Sequence, residues 1–246
     1  IVFGDWSSDV CSSDLIQFNE QSFWSGDINW DGEYDTGECA FGSYLNFGWI
    51  VMDFDRKNEV RNYRRTLDLS TGIHHVSFQI GKTTYTAEAF ASYPDQVMVF
   101  RYSTDSAGGL TGRIRLIPSH TTRTLIANNT LKFSDILPNS LKYSALVRVN
   151  HEGGSLRGEG IALSFRQCSS VTLLVNARTN YRQHHSSGWR GSDPAPVLKR
   201  EMQRLEKKSF IELRDRHIAE FSRLTLAAGI DIGSSSPYLL DRKSVG

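Results

Sequence analysis

Two neighbouring stretches carry the residue types with the most chemistry to offer. In the first, Asn19 and Glu20 precede Phe23-Trp24-Ser25-Gly26. An amide and a carboxylate can hydrogen-bond hydroxyl groups, and an indole face suits the apolar C–H face of a sugar. The same residues admit a structural reading: Phe23 and Trp24 pack beneath a sheet while Asn19 and Glu20 satisfy a turn. The second stretch runs from Asp27 to Glu38 and fits a calcium-loop pattern, with oxygens at Asp27, Asn29, Asp31, Asp35 and Glu38 and Gly32 at the sharp turn. Loops of that kind lie between two helices, and no helical pattern flanks this one. A solvated acidic loop without metal is the expectation.

Other reactive groups give less. His74-His75 falls on a strand pattern, which sends the two rings to opposite faces and prevents joint chelation. His184-His185 lies with Arg182 and Trp189 in a polar loop, within reach of a ligand or a neighbouring domain but expected to be simply exposed. Cys11, Cys39 and Cys168 form no CxxC pair and are read as unpaired thiols. No acidic pair, Ser-His-Asp arrangement or phosphate loop stands out, so no catalytic residue and no cofactor are expected.

The elements that must position these groups are mostly strands. Val76, Phe78 and Ile80 alternate on one face, and Gly81-Lys82 then supplies a type II′ hairpin into the run from Thr83 to Ala91. Tyr93-Pro94-Asp95 reads as a turn. In the run from Gln96 to Thr104, apolar residues occupy both faces (Val97 and Val99 against Met98, Phe100 and Tyr102), so this strand should be covered on both sides. The alternation returns at Tyr143 to Val149, at Ile161, Leu163 and Phe165, and at Val171 to Val175. A large antiparallel β-sandwich over 16–190 follows. The pattern then changes to helix. Asp193-Pro194 marks an N-cap and first turn, Leu198, Met202 and Leu205 fall at helical spacing, and Ser209 with Glu212 forms a capping box. Residues 191–236 are therefore a short α-helical connector, with Gly229 as its stop.

Lys plus Arg is 28 against 27 for Asp plus Glu, a net charge of +1 that gives no attraction to nucleic acid or an anionic membrane. No apolar run approaches the roughly eighteen residues of a membrane span. Residues 5–15, with a near-repeat of Ser-Ser-Asp, resemble a translated sequencing adapter, as does Asp241-Arg242-Lys243-Ser244-Val245 at the other end. Segments 1–15 and 237–246 are accordingly expected to be non-native.

Four stretches together resemble the α-L-fucosidases of glycoside hydrolase family 95. They are Ile16-Gln17-Phe18-Asn19-Glu20 through Asn29, Phe47-Gly48 leading into Ile50 to Phe54, Tyr63 to Leu69 through the Gly81 hairpin to Val97, and Arg216-His217-Ile218-Ala219-Glu220-Phe221. The resemblance implies inverting hydrolysis of terminal α-L-fucose or L-galactose, which needs two carboxyl-type groups across the sugar ring. In the family these groups lie in an α/α barrel after the connector, and that barrel is expected to be missing from this chain, leaving it inactive alone. Its partners would be a fucosylated glycan and the barrel; the family also suggests a periplasmic or secreted setting. The competing readings are a non-catalytic carbohydrate-binding module, with Trp24, Trp30 and Trp49 as a stacking platform, and a purely structural sandwich. Without the barrel, the connector's apolar stripe is expected to be exposed and to lower solubility.

Overall fold

The computed structural model describes residues 2–3, 13–26, 42–55, 59–225 and 227. Fourteen strands run in order: β1 (Val2–Phe3), β2 (Ser13–Asn19), β3 (Gly48–Phe54), β4 (Val60–Asp68), β5 (Ile73–Ile80), β6 (Thr83–Ser92), β7 (Val97–Thr104), β8 (Leu110–Pro118), β9 (Leu125–Ala127), β10 (Thr130–Ile136), β11 (Lys142–Glu152), β12 (Ser155–Glu159), β13 (Ala162–Cys168) and β14 (Ser170–Thr179). They form a six-stranded sheet of order β1-β2-β3-β8-β13-β12 and an eight-stranded sheet of order β4-β5-β6-β7-β14-β11-β10-β9. Every pairing is antiparallel, as adjacent pairs such as β6 with β7 and β3 with β8 illustrate. Two helices follow, α1 (Pro194–Leu205) and α2 (Phe210–Thr225). The mainly β sandwich with a short helical connector is thus as the alternation predicts. Among the described residues, no helix is long and apolar enough to cross a membrane.

The strand alternation explains the core. Ile50, Met52 and Phe54 of β3 and Ile114 and Leu116 of β8 meet Met98, Phe100 and Tyr102 of β7, Tyr143, Ala145, Val147 and Val149 of β11, and Val171, Leu173 and Val175 of β14 in one buried cluster. One expectation fails locally. Ile161 sits exposed in the turn before β13, while Ala162 and Ser164 are buried beside Leu163 and Phe165.

The outer face of the eight-stranded sheet is covered by the connector. Met202, Leu205 and Leu213 pack on Ile73, Phe90, Val97, Val99 and Leu174 as a second buried cluster, and Leu198 of α1 is buried as well. This is why β7 is apolar on both faces. It also corrects the expectation of an exposed connector stripe: the sheet itself buries most of it, leaving Ile211 and Leu224 as the exposed large apolar side chains among the described residues of the connector. The caps form as predicted. Asp193 accepts from the Ala195 amide at 2.9 Å, and Ser209 and Glu212 exchange backbone-to-side-chain bonds of 2.7 and 3.2 Å.

Charge fixes the connector as well. The Asp95 carboxylate, with 1% of its side chain exposed, pairs with Lys208 and accepts from Arg216 Nε at 3.1 Å. His217 stacks on Phe90 with ring centroids 4.9 Å apart. Burial lowers its pKa, outweighing the backbone hydrogen bonds that act to raise it, so the ring is neutral near pH 7.

Candidate functional site

The connections at one end of the sandwich meet to form a cleft of about 490 Å³, walled by Trp24, Tyr44, Tyr181 and Trp189 with Asn139 and Arg190 between them. Three segments far apart in sequence build it, and each is anchored by ordinary chemistry.

The first wall comes from the β2–β3 connection. Phe23 is fully buried against Phe47 and Tyr143, at ring distances of 4.6 and 4.7 Å. Leu45 N donates to Phe23 O and Ser25 N to Ser43 O, so the two arms of the connection pair like a short ribbon. In such a ribbon neighbouring side chains alternate in direction. With Phe23 rooted in the core, Trp24 turns outward and keeps 38% exposure, edge-on to Tyr44 at 4.9 Å. The sequence therefore left open what the ribbon decides: Phe23 is core, and Trp24 is a cleft wall. Gly26 lies so close to the indole that an added Cβ would overlap Trp24 Nε1.

The second wall is the tight turn between β10 and β11. Leu137 N donates to Leu141 O at 2.9 Å, and Leu141 N to Asn139 Oδ1 at 3.0 Å. The other end of the Asn139 amide, Nδ2, donates to the carbonyls of Trp24 and Gly26 at 2.9 and 2.7 Å. One side chain thus ties this turn to the first wall.

The third wall is the loop after β14. A bridge between Tyr181 and Arg190 closes it around a single 3-10 turn at His185–Ser187. Trp189 has φ of +60°, a left-handed conformation that is uncommon for a bulky residue and costs about 1–2 kcal/mol. Arg182 N donates to its carbonyl at 3.0 Å, and Arg190 reaches across to Asn139 O at 2.8 Å, holding the strained residue in place. His184 and His185 lie exposed on the outside of the loop, as expected, with His185 edge-on to Trp189.

The residues singled out near the amino terminus do not converge on one place. Asn19 Oδ1 accepts from the Phe47 amide at 3.2 Å, and Glu20 Oε2 accepts from the Ser22 amide at 2.8 Å. Glu20 lines a separate groove of about 480 Å³ beside Tyr93, Gln96 and Arg178. Of the three, Trp24 alone faces the aromatic cleft. Trp49 sits on β3 away from that cleft, so it and Trp24 do not make a shared platform. Trp30, the acidic stretch Asp27, Asn29, Asp31, Asp35 and Glu38, Cys11, Cys39 and Gly229 lie outside the described residues. So do most of 1–15 and all of 237–246, although Ser13, Asp14 and Leu15 pair with Asp53, Met52 and Val51 in β2. Among the described residues no group of three or more His, Cys, Asp or Glu is placed to hold a metal.

Aromatic faces, amides, a hydroxyl and one guanidinium suit a neutral, hydroxyl-bearing ring with an apolar face. None of the cleft's described lining residues is Asp or Glu, the residue types that glycoside cleavage uses as acid and base. Tyr44, Asn139, Tyr181 and Arg190 were not foreseen. No single-chain periodicity brings residues more than a hundred positions apart to one end of a sandwich.

Comparison with known proteins agrees with this reading of the fold. The family model described as glycosyl hydrolase family 65, N-terminal domain, matches residues 31–184. The chain is 22% identical over 236 residues to a probable alpha-fucosidase A of Aspergillus oryzae, covering 89% of this chain and 32% of that protein. It is 24% identical over 223 residues to alpha-L-fucosidase 2 of Arabidopsis thaliana, covering 78% of this chain and 26% of that protein. A probable alpha-fucosidase A of Aspergillus niger is 26% identical over 226 residues, with 83% and 27% covered. The chain thus spans about a third or less of the length of these relatives. A putative kojibiose phosphorylase from the human microbiome superposes with a TM-score of 0.51 at 14% identity, over 72% of this chain and 28% of that one, a likeness of fold alone. An antiparallel sandwich with a helical connector, a family model over more than half the chain and glycosidase relatives lead to one assignment: the chain belongs to the glycosyl hydrolase family 65 N-terminal domain family.

Proposed function

We propose that this sandwich is the amino-terminal domain of an enzyme that removes terminal α-L-fucose from glycans with inversion, and that it supplies sugar contacts while another domain supplies the chemistry. The observation that carries the reading is the aromatic cleft, which is shaped for a sugar ring and has no carboxyl group in its described lining. Inversion needs an acid on one side of the glycosidic bond and a base about 6.5–9.5 Å away to activate water. In this reading those groups belong to an α/α barrel beyond the connector, which the resemblance to family 95 and the greater length of the fucosidase relatives, about three times that of this chain or more, support. The connector suits that role, because its docking on the sheet fixes the direction in which the chain leaves the sandwich.

The test is hydrolysis of an aryl α-L-fucoside by the 246-residue chain and by the intact enzyme that contains it. Turnover by the intact enzyme, with an inverted product and none from the chain alone, is expected. Turnover by the chain alone would refute the division of labour. An intact enzyme inactive on fucosides but active on another glycoside would refute the sugar assignment.

A further inference from the structure

On the other side of the β10–β11 turn from the aromatic cleft lies a second pocket of about 570 Å³. Ser119, His120 and Thr121, just after β8, form one wall, and Asp135 and Pro138 form the other above Tyr143. The turn is a shared partition: Leu137 and Pro138 face this pocket, whereas Asn139 and Leu141 face the cleft. It is stiff, because Ser140 N donates to Leu137 O at 2.8 Å and Arg190 holds the Asn139 carbonyl.

Behind the wall of the pocket lies an unpaired polar atom. His120 Nε2 is buried and has no hydrogen-bond partner among the described residues, while its ring is held edge-on to Phe23 at 5.4 Å. A buried imidazole nitrogen left in that state is unfavourable. Around it stand two hydroxyls, the Asp135 carboxylate and the Tyr143 phenol, whose pKa burial and the Asp135 charge push up to about 12. The phenol therefore remains a donor at any physiological pH. The described lining contains no Lys or Arg, which disfavours a phosphate or carboxylate ligand. Hydroxyl donors and acceptors beside the apolar edges of Ile136 and Pro138 fit a neutral sugar.

We infer that this pocket is a second sugar subsite, so that the sandwich grips an extended oligosaccharide across the β10–β11 turn instead of a single terminal sugar. The inference rests on the reading of the aromatic cleft as a sugar site. In the bound state Asp135 accepts from one hydroxyl of the internal sugar, and Thr121 donates at the rim.

Chemical-shift titration of the folded chain with two probes tests it: L-fucose, and lactose carrying an α1,2-linked L-fucose. The wild type should bind the trisaccharide more tightly than fucose. Asp135→Ala should weaken the trisaccharide about tenfold, the loss of one charge-assisted hydrogen bond, with fucose unchanged. Thr121→Ala, at an exposed position where folding is not at risk, should weaken the trisaccharide in the same selective way. Trp24→Ala should weaken both probes. If both pocket variants bind the trisaccharide like wild type while Trp24→Ala still weakens both sugars, the second subsite is wrong and the cleft stands. If neither sugar binds the wild type, both fall together.

Discussion

Asp95 offers the sharpest test of how the connector is held. Its carboxylate has 1% of its surface exposed and accepts from Ser92 Oγ at 2.9 Å, from Arg216 Nε at 3.1 Å, and from Lys208. Asp95→Asn keeps an oxygen for Ser92 but removes the charge that both cations face. Breaking a fully buried ion pair from one side costs about 3–5 kcal/mol. Here the Lys208 and Arg216 side chains are 29% and 48% exposed, so both can turn to water when the charge is gone. Discounting for that screening leaves about 2 kcal/mol. For a chain of this size that corresponds to a fall of roughly 4–8 °C in Tm. The same loss should appear in urea unfolding as a lower midpoint with unchanged slope. It should also appear as faster amide exchange in α2, with β11 and β14 protected as before.

The pH dependence has a definite sign. Burial pushes the Asp95 carboxyl up, but the hydrogen bonds from Lys208, Ser92 and Arg216 outweigh it and hold the pKa below the ordinary 3.8. Its contribution is therefore complete above the ordinary carboxylate range and is lost as pH falls through the lowered folded value. The gap between wild type and Asp95→Asn should be constant near neutrality and close only in strong acid. A gap under about 0.5 kcal/mol at pH 7 is what a surface pair would give, and it would refute the latch. A gap that persists unchanged in strong acid would refute its electrostatic origin.

Phe90→Ala should destabilise by about 3–5 kcal/mol, measured by urea unfolding, because the ring is fully buried between the sheet and His217 and Phe210 of the connector. Gly26→Ala should shift the Trp24 fluorescence and weaken sugar binding while leaving the unfolding midpoint within about 0.5 kcal/mol, since the clash falls on a cleft side chain and not on the core. The Cys168 thiol is buried and its pKa is raised by that burial, so it should resist a thiol reagent in the native state and react on unfolding. Rapid native modification would contradict its placement.

Much of the sandwich was legible because two-residue alternation is a local signal. Gly81 illustrates it: φ is +61° there and not positive at Lys82, as a II′ turn requires. The double-sided pattern of β7 even announced a covering layer, though not that the connector itself would provide it. Asp95 shows the limit. In sequence it is a turn acid after Pro94, and its partners Lys208 and Arg216 lie 113 and 121 positions away. The cleft was illegible for the same reason. Trp24 was visible as a candidate, but its direction was set by Phe23 packing on Tyr143, and its companions Asn139, Tyr181 and Arg190 become neighbours only when the sheets stack.

The most direct measurement of the central claim follows the Trp24 and Trp189 indole N–H resonances as L-fucose is added to the chain. Saturable shifts of both signals, abolished by Trp24→Ala in an otherwise folded protein, are the predicted result. Shifts confined to residues remote from the cleft, or none at sugar concentrations high in the millimolar range, would contradict the assignment of this end of the sandwich to sugar binding.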